Sequence, residues 1–163
     1  MSKILVAGSG NKYRGDDGFG PHAVEALQRE ALPGDVEVRD VGMCGVTLAT
    51  DLGDYDLVIF IDAVQKGGEP GTIYKTEIKA EEVEELRSDK EKHAFIYDIR
   101  EASLEDLLVY AKTIGTLPPT TIVFGCEIQE ITMAEKMTPP VAAAVPKVVD
   151  LVREVLQRYR VGH

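Results

Sequence analysis

The sequence predicts an α/β fold, a three-layer α/β/α sandwich around a mostly parallel, twisted sheet of about five strands. Three observations predict it. Short apolar, strand-like runs alternate with amphipathic helical stretches along the whole chain. The strongest strand, Asp56 to Ala63 (DLVIFIDA), lacks polar alternation, so both its faces need covering. The 163 residues suit a single domain spanning 1–163, because a chain of that size buries roughly 70% of its unfolded surface.

Each element follows from local pattern. Lys3 to Ala7 (KILVA) reads as a buried strand, and the five glycines of Gly8 to Gly20 exclude a regular element there. Pro21 opens an amphipathic helix that runs to about Glu30. Val36 to Val41 alternates apolar and charged residues, as a strand with one wetter face does. A short helix covers Val46 to Leu52. After the central strand and the Gly67-Gly68-Glu69-Pro70 turn, Gly71 to Glu77 reads as a strand and Ala80 to Arg87 as a charged helix. Ser103 is placed to cap a further helix, which Gly115 and Pro118-Pro119 end. Thr120 to Cys126 is a β-branched strand. Val141 to Tyr159 is a long helix in which Pro146 marks the end of a first turn or a kink.

Composition excludes several function classes. Lys and Arg number 18 against 28 Asp and Glu, a net charge of −10, the wrong sign for tracking nucleic-acid phosphates or an anionic membrane. No apolar run approaches the roughly 18–20 residues of a membrane span, and Met1-Ser2-Lys3 lacks the form of a signal peptide. Cys44 and Cys126 are too few for a disulfide framework. The expectation is a cytoplasmic protein with reduced thiols, acting as a monomer.

In a parallel sheet, ligands gather at the carboxyl ends of the strands. Those ends are the Gly-rich loop, Asp62, and Gly125 to Glu127. The loop does not meet the G-x-G-x-x-G or G-x-x-x-x-G-K-[ST] patterns. Asp16 and Asp17 would also compete with a phosphate for the positive helix start. Two readings of these acids stay open: they cap and turn the chain, or glycine-flanked backbone aims one carboxylate over the sheet. Asp62 follows five apolar residues, where an unpaired carboxylate is costly or has a raised pKa. It either anchors a loop or faces a cation, a partner or the cleft. Asp17 and Asp62 could converge, and two carboxylates with a third donor make a divalent-metal site. No H-E-x-x-H or G-x-S-x-G motif is present. The two cysteines read as small buried residues.

The ordered set of motifs resembles the nickel–iron hydrogenase maturation endopeptidases. It comprises G-x-G-N-x-x-x-G-D-D-G-x-G at Gly8 to Gly20, D-x-G-x-x-G at Asp40 to Gly45, the strand ending in Asp62-Ala63, and the Pro70-Gly71-Thr72 turn. It continues with E-A-S-L-E-D-L-L at Glu101 to Leu108, V-F-G-C-E at Val123 to Glu127, and the helix entry at Thr138 to Ala143. The resemblance implies a phosphorylase/hydrolase-like sheet between helices. It implies a hydrolase that removes the C-terminal extension of a hydrogenase large-subunit precursor after nickel insertion. The implied partner is that precursor, and the implied metal is the nickel it carries, with another divalent metal conceivable in the free enzyme. Asp17 and Asp62 match the family's loop and strand acids around the metal. Asp16, Asp40, Gly42, Gly45 and Arg100 are implied contacts for the precursor tail, and Met43 stands where family members commonly have Thr.

The family's third ligand is a His, and Arg100 occupies its position. A guanidinium is permanently charged and does not ligate metals. Three arrangements stay open. His93, seven residues earlier, could supply the ligand. The two carboxylates could act with groups on the precursor's own nickel. Arg100 could instead grip a carboxylate bidentately. Whether metal or carboxylate activates water also stays open, as does a recognition module of the same fold that binds without cutting.

Overall fold

The computed structural model describes residues 3–42, 46–84 and 104–162. Strands β1 (Ile4–Ser9), β2 (Val36–Gly42), β3 (Leu57–Val64), β4 (Ile73–Lys79) and β5 (Thr120–Glu127) form one sheet in the order β2-β1-β3-β5-β4. All neighbours are parallel except β4, which runs antiparallel to β5 at the edge. Helices α1 (Phe19–Gln28), α2 (Val46–Asp51), α3 (Leu104–Ile114) and α4 (Pro139–Gly162) cover the two faces.

Strand alternation splits the apolar residues between those faces. Ile4, Val6, Leu57, Ile59, Ile61, Ile122 and Phe124 pack against α1 and α4 through Phe19, Ala23, Val148 and Val152. Leu5, Ala7, Val58 and Phe60 pack on the other side against α2 and α3 through Leu48, Leu107 and Ala111. Residues 57–61 of β3 are fully enclosed, as an apolar run without alternation requires. The two layers of helix and the central sheet make the predicted α/β/α sandwich.

Two elements differ from the sequence reading. The helix expected over Ala80 to Arg87 is only a 3-10 turn at Ala80–Glu82, and the rest of that span beyond residue 84 lies outside the described residues. The chain leaves the turn at Val83 in extended backbone, because Val83 packs on the α2/α3 core while its charged neighbours stay exposed. Pro146 lies inside one continuous helix rather than at its first turn. Pro146 cannot donate to the Ala142 carbonyl, and both residues are exposed.

The start of α1 lies directly on the sheet. A Cβ on Gly20 would come within 2.3 Å of the Ser9 carbonyl and 2.5 Å of the Ile61 carbonyl. Only glycine permits that approach, which brings the Gly-rich loop over the ends of β1 and β3.

Candidate active site

The Gly8 to Gly20 segment folds as a bend followed by a 3-10 turn at Gly15–Gly18 that feeds α1. Gly15 enters it with φ of 62°, a left-handed backbone that glycine adopts without strain. Neither Asp16 nor Asp17 caps α1: its N-cap is Gly18, and no side chain bonds there. The capping reading is therefore corrected. The two acids instead turn to different tasks.

Asp16 is fully buried. Its Oδ2 accepts hydrogen bonds from the backbone N–H groups of Gln129 (2.9 Å) and Glu130 (3.1 Å), and its Oδ1 accepts from Thr138 N–H (2.7 Å). The Thr138 hydroxyl bridges both oxygens. Burial pushes the Asp16 pKa up, but these donors outweigh it and hold the carboxyl below its ordinary value. Asp16 was expected to touch substrate. It is a structural anchor instead, tying the segment after β5 to the Gly-rich loop, with both oxygens already engaged.

Asp17 is half-buried and accepts one hydrogen bond, from Asn11 N–H at 3.0 Å. Asp62, near the end of β3, accepts one from the adjacent Ala63 N–H at 2.8 Å. Burial raises the Asp62 pKa to about 6, and the negative charge of Asp17 adds to the rise. The structure thus brings Asp17 and Asp62 within electrostatic reach at one rim of the sheet. Small residues flank Asp62 on both sides. Gly125 of β5 is its register partner, and Ser9 of β1 lies one step beyond the last β1–β3 pair, Gly8 and Ile61. The Val64 side chain covers Gly125 beside it.

Asp40 and Gly42 sit at the same rim. Asp40 is exposed and accepts the Gly42 N–H at 2.9 Å, and the Gly42 carbonyl accepts the Gly10 N–H at 2.9 Å. Gly45, Met43, Cys44, His93 and Arg100 lie outside the described residues. Among the described residues, no group of three His, Cys, Asp or Glu side chains is placed to hold a metal. The donor set there is two hard carboxylates, which suits a divalent cation that brings its other ligands with it.

Two further members of the rim had no role assigned from sequence. Glu127, at the end of β5, is nearly fully buried and accepts hydrogen bonds from Lys66 N–H, Gly68 N–H and the Tyr74 hydroxyl. Burial raises its pKa, but those donors hold it below the ordinary value and fix the β3–β4 loop beside Asp62. The V-F-G-C-E motif contained Glu127 without revealing its donors. Ser9 is the other, a polar residue closing an apolar strand. Cys126 is a free, buried thiol, and burial, with Asp16 and Glu127 nearby, pushes its pKa up to about 12. It is no nucleophile near neutral pH.

The model of the family described as hydrogenase maturation protease matches residues 21–155. The chain belongs to that family. A putative hydrogenase maturation protease of Methanocaldococcus jannaschii is 35% identical over 155 residues, covering 94% of this chain and 93% of the relative. The hydrogenase 2 maturation protease of Escherichia coli is 31% identical, covering 95% and 91%. Among solved structures, the hydrogenase 2 maturation peptidase of a Thaumarchaeota archaeon aligns with a TM-score of 0.74 at 39% identity, covering 95% of this chain and 98% of its own. The hydrogenase maturating endopeptidase of E. coli aligns with a TM-score of 0.74 at 26% identity, covering 96% and 93%. As a member of that family the chain is a peptidase. No helix among the described residues is long and apolar enough to cross a membrane.

Proposed function

We propose that this protease removes the C-terminal extension of a nickel-loaded hydrogenase large-subunit precursor, and that Asp17 and Asp62 recognise the nickel it carries. One observation supports this reading above the others. An acid of the 3-10 turn before α1 and one near the end of β3 share a rim, and each has a single backbone donor where Asp16 and Glu127 have several. Carboxylates so lightly satisfied keep lone pairs for a cation. Nickel in this reading is part of the substrate, and its other ligands come with the precursor.

Hydrolysis adds water across the peptide C–N bond. The hydroxyl goes to the carbonyl carbon and a proton to the leaving amine. Burial and the charge of Asp17 raise the Asp62 pKa to about 6 in the metal-free protein, and a bound cation lowers it again, so Asp62 meets the nickel as a carboxylate. Asp17 contributes charge and position. The turn made by Asp40 and Gly42 lies beside them, where an extended precursor tail would run. The same reading has the enzyme working as a cytoplasmic monomer, with Arg100 gripping a precursor carboxylate and His93 the remaining candidate for a third ligand.

The test is incubation with purified precursor in nickel-loaded and nickel-free forms, read by mass spectrometry of the large subunit. A shortened subunit from the loaded form alone is the expected result. Cleavage of both forms would overturn nickel recognition. An intact loaded precursor that nevertheless binds would favour the recognition module.

A further inference from the structure

Ser9 ends β1, is 5% exposed, and its hydroxyl oxygen makes no standard hydrogen bond. A buried hydroxyl left unpaired is destabilising, and native proteins rarely keep one without use. The strand pattern shows where it points. Leu5 and Ala7 face the α2/α3 side of the sheet, as do Val58 and Phe60. Alternation therefore puts Ser9 and Asp62 on that same side, on adjacent parallel strands. The Ser9 hydroxyl lowers the Asp62 pKa, against the larger effect of burial, while making no hydrogen bond of standard geometry. Ala63 N–H already engages Oδ1 of Asp62.

We propose that Ser9 is a positioning residue: its hydroxyl holds the Asp62 carboxyl in one orientation, with Ala63 N–H as the second fixed point, so that Oδ2 faces the space shared with Asp17. This deepens the reading of Asp17 and Asp62 as the nickel-recognising pair and rests on it. Outer partners of this kind typically change metal affinity or activity by roughly 10- to 100-fold when removed.

The experiment compares wild type, Ser9→Ala and Ser9→Thr. Thermal unfolding of each variant comes first, so that a loss of fold is separated from a loss of positioning. The first readout uses the free protein and needs no substrate. Three-bond NMR couplings report the side-chain torsion of Asp62. One rotamer is expected in wild type and Ser9→Thr, and rotamer averaging in Ser9→Ala. A single unchanged rotamer in Ser9→Ala overturns the proposal, whether or not the protein cleaves. The second readout is kcat and KM on nickel-loaded precursor, where kcat is expected to fall about tenfold in Ser9→Ala with KM little changed and to recover in Ser9→Thr. Equal kcat in all three variants also overturns it. Absence of cleavage by wild type overturns the peptidase reading of this site alone, and the NMR result then decides for Ser9.

Discussion

Asp16 and Glu127 are more buried than Asp62, yet they hold their protons less tightly. Both lie inside the rim and both are lowered below the usual carboxylate range, whereas Asp62, partly open to solvent, is raised to about 6. The difference is in donors, together with a heavier desolvation of the Asp62 carboxyl itself. Asp16 gathers three backbone N–H groups and a hydroxyl, and Glu127 gathers backbone N–H groups of the β3–β4 loop with the Tyr74 hydroxyl. Asp62 has one donor in full geometry and a negative neighbour. Burial raises all three, and only where hydrogen bonds outnumber that cost does the ionised form win. One rim therefore holds two kinds of acid: anchors that are finished and a pair that is left available.

The comparison can be broken first at the available pair. Asp17→Ala and Asp62→Ala are each expected to reduce precursor cleavage on the order of a thousandfold while the circular dichroism spectrum is unchanged. Cleavage within threefold of wild type in either variant would remove that residue from the site. The anchors should behave in the opposite way. Asp16→Ala leaves three buried N–H groups without an acceptor, so we expect a loss of about 3 kcal/mol in urea unfolding. A loss under 0.5 kcal/mol would mean that solvent replaces the carboxylate.

The pH dependence sharpens the same contrast, with opposite signs. Asp16 and Glu127 have folded pKa values below their ordinary 3.8 and 4.5. Their stabilisation is present above those values and is lost as pH falls through the lower folded ones. The urea midpoint should therefore drop as the solution is acidified below about 4.5. Asp62 is raised from 3.8 to about 6, so its contribution is fully present below 3.8 and lost as pH rises through 6. Asp62→Asn should accordingly stabilise the fold by about 1–2 kcal/mol at pH 8, after allowing for its partial solvation, and by almost nothing at pH 3. Equal gains at both pH values would contradict the raised proton affinity. The smallest effect is expected from Tyr74→Phe, which removes one of several Glu127 donors. It should lower the thermal midpoint only slightly and leave cleavage of the precursor intact.

Much of this molecule is legible in its sequence. The unbroken apolar run LVIFI determined a strand covered on both faces, because no polar side chain was available to face water. The Gly-rich loop, with Asp16-Asp17 after a glycine, and Asp62 near a strand end were placed by pattern at the rim where the structure has them. The order of the motifs was enough to identify the family. Which of the two adjacent acids would serve as anchor was decided only in three dimensions. The donors of Asp16 come from Gln129, Glu130 and Thr138, more than a hundred residues away, and no local pattern announces them. The same holds for Glu127, whose partners lie on the β3–β4 loop and on β4. Local sequence sets backbone propensity and which face is apolar. A carboxylate's proton affinity is set by every donor and charge within a few ångströms, and those arrive only when distant segments pack.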